Sequence, residues 1–280
     1  MNKILFVLLF SLGFTSSFFA QNSEKVKGNR DVTIEQTYLD DFTKIIVGGD
    51  FSIEIIYNSK SSVEIETDSN LHDIIKVEVV DSTLTFSTTQ EISSKKRLNI
   101  TVNYSTPLKY IETKDDAEIR SLTSLELNDV VLKTTGTSKA YLNINANNFE
   151  YTSLDKAKVK LNLTAKGTST VVLSDNSKLD ALVNSKEAKI DLYQRATINI
   201  EGDANNAIIR TDNNSDFNGK NFTTKTCTLI SEVASDAHVN VSEAITLEIT
   251  GSSEVYLYNT PKVTINKFID TAKLLKKETN

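Results

Sequence analysis

Apolar and polar residues alternate with a period of two over most of the chain. Phe51, Ile53 and Ile55 are separated by Ser52 and Glu54, and Val63, Ile65 and Thr67 by Glu64 and Glu66. Leu98, Ile100, Val102 and Tyr104 alternate with Asn99, Thr101 and Asn103. Val77 and Val79 precede a turn at Asp81-Ser82, after which Leu84 and Phe86 resume the pattern. This alternation, rich in β-branched residues, predicts half-buried strands. Only Leu71 to Ile75 reads as a helical turn. The two prolines, Pro107 and Pro261, flank strand signals rather than interrupt them.

From about residue 114 a longer period is laid over the short one. A small residue recurs at Ala117, Ser138, Ala157, Ser177, Ala196, Ser215, Ser235 and Ser253, with steps of 21, 19, 20, 19, 19, 20 and 18. Their mean, about 19.4 residues, is the signature of a solenoid in which each repeat is one coil. Two residues after each anchor stands Ile119, Ala140, Val159, Leu179, Ile198, Phe217, Ala237 or Val255. Four after stands Leu142, Leu161, Ala181, Ile200, Val239 or Leu257, with Ser121 and Gly219 as exceptions. Six before stands Leu132, Tyr151, Val171, Ile190, Ile209, Leu229 or Leu247. Such columns predict parallel ladders around an apolar interior, with the small anchor at a tight corner. Gly136-Thr-Ser138, Asp175-Asn-Ser177, Asn213-Asn-Ser215 and Gly251-Ser-Ser253 carry the turn chemistry for that corner. An antiparallel sandwich would not require the same columns to return every twenty residues. The expected fold is all-β: a single-stranded right-handed parallel β-helix of about 19–20 residues per coil, after an N-terminal β-rich region. The handedness follows from the general preference of parallel crossovers.

The N-terminus modifies this picture. Lys3 precedes an almost unbroken apolar run, Ile4 to Phe14, and small residues Ser16, Ser17 and Ala20 precede a plausible cut before Gln21. The run is shorter than a membrane-spanning helix needs, so residues 1–20 read as a signal peptide and the chain as exported, to the periplasm, cell surface or medium. Residues 21–30 read as a flexible leader, 31–113 as the β-rich part, 114–265 as coils and 266–280 as a C-terminal cap or tail. Within that tail, Ile269 to Leu275 reads as a short amphipathic helix. No later apolar stretch predicts a transmembrane segment in the mature chain. The formal charge is −6, and −7 without residues 1–20, because Lys3 leaves 30 basic against 37 acidic residues. Both signs are scattered, which argues against nucleic acid as a partner. Cys227 is alone and forms no internal disulfide; it is read as a buried, inert thiol.

The ordered segments 42–55 (FTKIIVGGDFSIEI), 63–71 (VEIETDSNL), 81–86 and 98–111, followed by the Ser-rich coils, resemble the head GIN domain, the family also called the putative auto-transporter adhesin domain. The likeness covers roughly residues 31–265. It implies a right-handed β-helical fold and an exported protein of Bacteroidota-type bacteria, and it brings no catalytic residues with it. Asp115-Asp116-Ala117 departs from the family's frequent Gly-rich turn and leaves the geometry of the first corner open.

Chemistry is sparse. His72 and His238 are the two histidines, and no H-E-x-x-H, phosphate loop, Cys/His metal spacing or G-x-S-x-G elbow occurs. The chain is therefore read as a non-enzyme without cofactor or metal. Asp216 and Asp236 share one offset and stack about 5 Å apart in the predicted fold, as a cation pair or as two solvated acids. The outward face after the anchors presents Lys139, Tyr141 and Asn143, then Lys158, Lys160 and Asn162, and later His238, Asn240, Tyr256 and Tyr258. Asn143 and Asn162 share a column and read as a short amide ladder. Tyr141, Asn143, His238, Tyr256 and Tyr258 are the candidate ligand residues, because tyrosine rings beside amides stack on sugars and bond hydroxyls. A solvated β-face is the plain alternative. The expected function is an adhesin or binding module at the cell envelope, presenting this surface to a glycan or a cell-surface protein. A carbohydrate-active β-helix enzyme and a structural envelope protein are the alternatives; oligomeric state is left open.

Overall fold

A computed structural model of the chain describes residues 25–278; the expected signal peptide lies outside the described residues. The fold is an all-β parallel solenoid whose coils each contribute two strands. One strand column runs through Lys44–Val47, Tyr110–Thr113, Asp129–Thr134 and Asn148–Ser153. The other runs through Ser52–Tyr57, Glu118–Ser121 and Lys139–Ala146. From Lys158–Leu173 onward, one long strand per coil serves both columns, the second half of each following a bend: Lys178–Leu192, Thr197–Thr211, Asp216–Ser231 and Asp236–Ile249.

The predicted columns are real piles. Ile119, Ala140, Val159, Leu179, Ile198, Phe217, Ala237 and Val255 are consecutive register partners. Leu132, Tyr151, Val171, Ile190, Ile209, Leu229 and Leu247 form the facing pile. All are almost fully buried and belong to one continuous core. Burying each large member is worth about 1.5–3 kcal/mol. Cys227 lies in this core, where burial pushes its thiol up to about 12, so it is an inert apolar filler.

Each anchor is also buried, and two residues before it the backbone is left-handed. Asp115, Asp155, Asp175, Gln194 and Asp270 take φ of 59–63°, as Gly49, Gly136 and Gly251 do at 61–69°. Aspartate tolerates this region better than most residues. Its carboxylate also repairs the corner: Asp115 accepts the Gly49 N–H at 2.9 Å, Asp155 that of Gly136 at 2.9 Å, and Asp175 that of Asp155 at 3.1 Å. Asp270 does the same for Gly251 at 3.0 Å. The Asp115 turn, which departs from a glycine-rich pattern, is thus an ordinary corner of this stack.

Stack order differs from chain order at the N-terminal end. Thr83–Thr88 and Leu98–Tyr104 pair in parallel with Lys44–Val47 and Ser52–Tyr57 on the side opposite residues 110–121. The coil made by residues 44–57 is therefore sandwiched between two later ones, and the coil pattern begins at residue 44. Antiparallel strands Ile75–Val80, Ser62–Asp68 and Val32–Tyr38 close this end. The predicted helical turn is a 3₁₀ segment, Ser69–Ile74. Lys25–Lys27, inside the segment read as a leader, pairs with Glu91–Ser94.

The opposite end corrects one expectation. Residues 269–275 form no helix: a turn with Asp270 at its left-handed position leads into strand Lys273–Lys276, which pairs with Glu254–Tyr258. The coil period continues here, so the apolar spacing read as amphipathic helix belongs to strand columns. The last coil is open among the described residues, with Ile265 50% and Phe268 46% exposed. Lys262, Lys267, Lys273 and Lys276 on its two strands discourage edge-to-edge pairing with another such end.

Candidate ligand-binding face

Outward side chains of the second strand column form ladders as regular as the core. Arg120, Tyr141, Lys160, Asp180, Asn199, Asn218, His238 and Tyr256 are consecutive partners. Beside them run Asn143, Asn162, Leu182 and Glu201. Between these two ladders lies an open trough of about 570 Å³, lined by Arg120, Tyr141, Asn143, Lys160, Asn162, Asp180, Leu182 and Glu201 among others. The Asn143 and Asn162 side-chain amides make no hydrogen bond among the described residues, so the predicted amide ladder does not close there. Amide ladders do form elsewhere: Asn199 donates to Asp180 at 2.8 Å, Asn218 to Asn199 at 3.1 Å and Asn259 to Asn240 at 2.6 Å. Leu182 is 43% exposed and gives the trough an apolar step.

The five expected ligand residues fall into two groups on one face. Tyr141 and Asn143 line the trough. His238, Tyr256 and Tyr258 cluster five strand intervals away, about 24 Å. The His238 and Tyr256 rings stack at 4.2 Å between centroids and 10° between planes, and His238 Nδ1 lies 3.2 Å from the Tyr258 hydroxyl.

This stacking limits how much of each aromatic ring face is open. Rings in a parallel ladder lie over one another, so their faces are spent within the stack. Tyr256 has His238 on its ring and Lys277 Nζ 5.1 Å from its centroid, and the Arg120 guanidinium sits 4.4 Å from that of Tyr141. Tyr258 is only 6% exposed, beneath His238 and the Lys220 ammonium. Tyr256 donates to Glu254 at 2.6 Å, and this bond, then burial, pushes its phenol up to about 12. The aromatic cluster is a stack of ring and cation faces that stabilise one another.

The acidic column behaves as its register demands. Asp216 and Asp236 are direct partners, with Glu254 next in line. Asp216 is exposed by area, yet crowding by neighbouring groups desolvates it; that effect, then Asp236 repulsion, raises its carboxyl above the ordinary value against the pull of His238. Desolvation lowers His238, opposed by Asp216 and Asp236. Among the described residues no three His, Cys, Asp or Glu side chains converge to hold a metal. Sequence reasoning placed Lys139 and Lys158 outward but missed the ladder they form with Lys178; the spacing of 19 and 20 residues was its only signal.

The family model described as putative auto-transporter adhesin, head GIN domain, matches residues 41–181 and 157–261. The chain belongs to this family. Its fold is similar to that of a putative adhesin from Parabacteroides merdae ATCC 43184, with a TM-score of 0.64, 16% identity and coverage of 91% of this chain and 100% of that one. A putative adhesin from Parabacteroides distasonis ATCC 8503 gives a TM-score of 0.60 at 18% identity, again over 91% and 100%. A putative lipid binding protein from the same organism gives 0.59 at 13% identity, over 91% and 98%. No curated protein matches the chain. At these identities the likeness of this head GIN domain chain to the solved structures is one of fold. Among the described residues no helix is long and apolar enough to cross a membrane.

Proposed function

We propose that this head GIN domain protein is an exported, non-enzymatic binding module of the bacterial cell envelope, and that it holds a hydroxyl-rich glycan along the trough between Tyr141 and Glu201. The carrying observation is the pair of uncommitted amides, Asn143 and Asn162, on successive coils beside the exposed Leu182. Amide groups supply both donors and acceptors to sugar hydroxyls, and an apolar step accommodates a ring face. Successive coils repeat every ~4.8 Å, so an extended chain lying along the stack meets one position of each ladder per coil. Family membership supports a role in adhesion, and the apolar N-terminal segment supports export. A rigid core holds the display in place, so no backbone ordering is needed on binding.

The test is a glycan array and envelope-polysaccharide pull-down with the purified chain and with an Asn143→Ala/Asn162→Ala variant. Binding by the parent, lost at least tenfold in the variant with an unchanged melting curve, supports the trough. Binding unaffected by the double change moves the site elsewhere, and no binding to any glycan leaves a structural envelope protein.

A further inference from the structure

The outward column nearest the corner is sorted by charge. It reads Glu118, Lys139, Lys158, Lys178, Thr197, Asp216, Asp236, Glu254 and Lys273, each the register partner of the next. Three lysines therefore stand on three adjacent strands at intervals of ~4.8 Å, where like charges directly opposite are destabilising. Lys156 joins them from the neighbouring corner, and together with Lys139, Lys158 and Lys178 it lines a depression of about 650 Å³. Compensation from carboxylates is thin. Glu118 reaches Lys139 at only 3.9 Å, and Asp116 in the same depression is engaged by the Thr137 hydroxyl. Lys156, Lys158 and Lys178 form no ion pair among the described residues. Lys160, two residues along the strand from Lys158, carries the same sign to the edge of the trough. In a chain of net charge −6, this local excess of cations stands with few matching carboxylates.

We propose that the Lys139–Lys158–Lys178 ladder, with Lys156, is an anion-binding strip, and that its ligand is an acidic polysaccharide carrying one carboxylate or sulfate per sugar or per few sugars. The inference rests on the glycan reading of the adjoining trough and names the class of glycan. The strip runs along the stack axis beside the trough, so one chain laid lengthwise offers hydroxyls to Asn143 and Asn162 and acid groups to the lysines. The interval between lysines is about that of one pyranose ring. Ligand acids replace the missing protein carboxylates and relieve the repulsion within the ladder. Binding of this kind releases counterions and weakens as salt rises.

The experiment measures binding of the full chain to immobilised polygalacturonate, a sulfated polysaccharide, a neutral glucan and double-stranded DNA at several salt concentrations. The variant is Lys139→Gln/Lys158→Gln/Lys178→Gln, and Lys262→Gln/Lys267→Gln/Lys273→Gln at the far end is the control. Expected are binding to at least one acidic polysaccharide, loss of tenfold or more in the ladder variant, little change in the control, and a ladder variant that melts no lower than the parent. Binding to the neutral glucan alone overturns the acidic-ligand inference while the trough reading stands. No glycan binding at all overturns both. Equal binding to DNA, or equal loss in the control, also overturns the inference, because the strip is then an unselective cationic surface.

Discussion

The left-handed corner makes a sharp prediction at Asp155. Two properties are asked of this residue: tolerance of φ = 62°, and an oxygen that accepts the Gly136 N–H at 2.9 Å. Three substitutions separate them. Asp155→Asn keeps both the tolerance and an acceptor and is expected to cost under about 1 kcal/mol. Asp155→Gly keeps the backbone freedom but loses the acceptor; one exposed hydrogen bond and added freedom in the unfolded chain put the cost at about 1–2 kcal/mol. Asp155→Ala loses the acceptor and adds about 1–2 kcal/mol for a left-handed alanine, giving about 2–3 kcal/mol in all. The chain has no tryptophan, so urea unfolding followed by far-UV circular dichroism is the suitable assay. Equal denaturant slopes among the variants validate the comparison of midpoints. The expected order of loss is Asn, then Gly, then Ala. Alanine no worse than glycine would refute the backbone argument, and asparagine as damaging as alanine would refute the hydrogen-bond argument.

Two further predictions concern inside against outside. Leu161 is 4% exposed between Leu142 and Ala181, and Leu161→Ala should cost about 2–5 kcal/mol as a cavity-forming truncation; the exposed neighbour Lys160→Ala should stay within about 0.5 kcal/mol. Similar losses at both sites in urea would contradict the assignment of faces. Asp216 has its proton affinity raised in the fold, so the native state holds more protons than the unfolded state and stability falls as pH rises through the carboxylate range. Asp216→Asn should therefore be the more stable protein at pH 7, by up to about 1 kcal/mol, and equal to the parent below about pH 3.9. Melting curves at several pH values check this, and a variant less stable at pH 7 reverses the sign.

Much of this molecule was legible as spacing. An interior position twenty residues from its equivalent has no other neighbour to choose in a parallel stack, so Val159, Leu179 and Ile198 named their own contacts. The same logic found the buried anchors and the Asp216–Asp236 pair. It failed where chain order and stack order part. Nothing in residues 31–113 announces that residues 83–104 pass beneath residues 44–57, because both segments show the same alternation and only the pairing tells them apart. It failed again at Ile269 to Leu275, where four apolar residues fit a helix and a strand-turn-strand equally well until the preceding coil supplied the edges that decide.

The candidate site divides along the same line. Residue types and period fix which side chains face solvent and which coil each belongs to, since alternation sets direction and the repeat sets height. Whether an outward ring offers its face or hides it depends on what lies above and below: Tyr256 is covered by His238, Tyr141 by Arg120, and Tyr258 is sealed beneath its neighbours. The uncommitted Asn143 and Asn162 amides and the run of three stacked lysines are likewise properties of adjacent layers. Sequence by itself determined the solenoid, its period and its two faces, because those follow from local geometry repeated. Tertiary structure alone decided the order of the first coils and which surface groups remain free, because both depend on contacts between segments far apart in the chain.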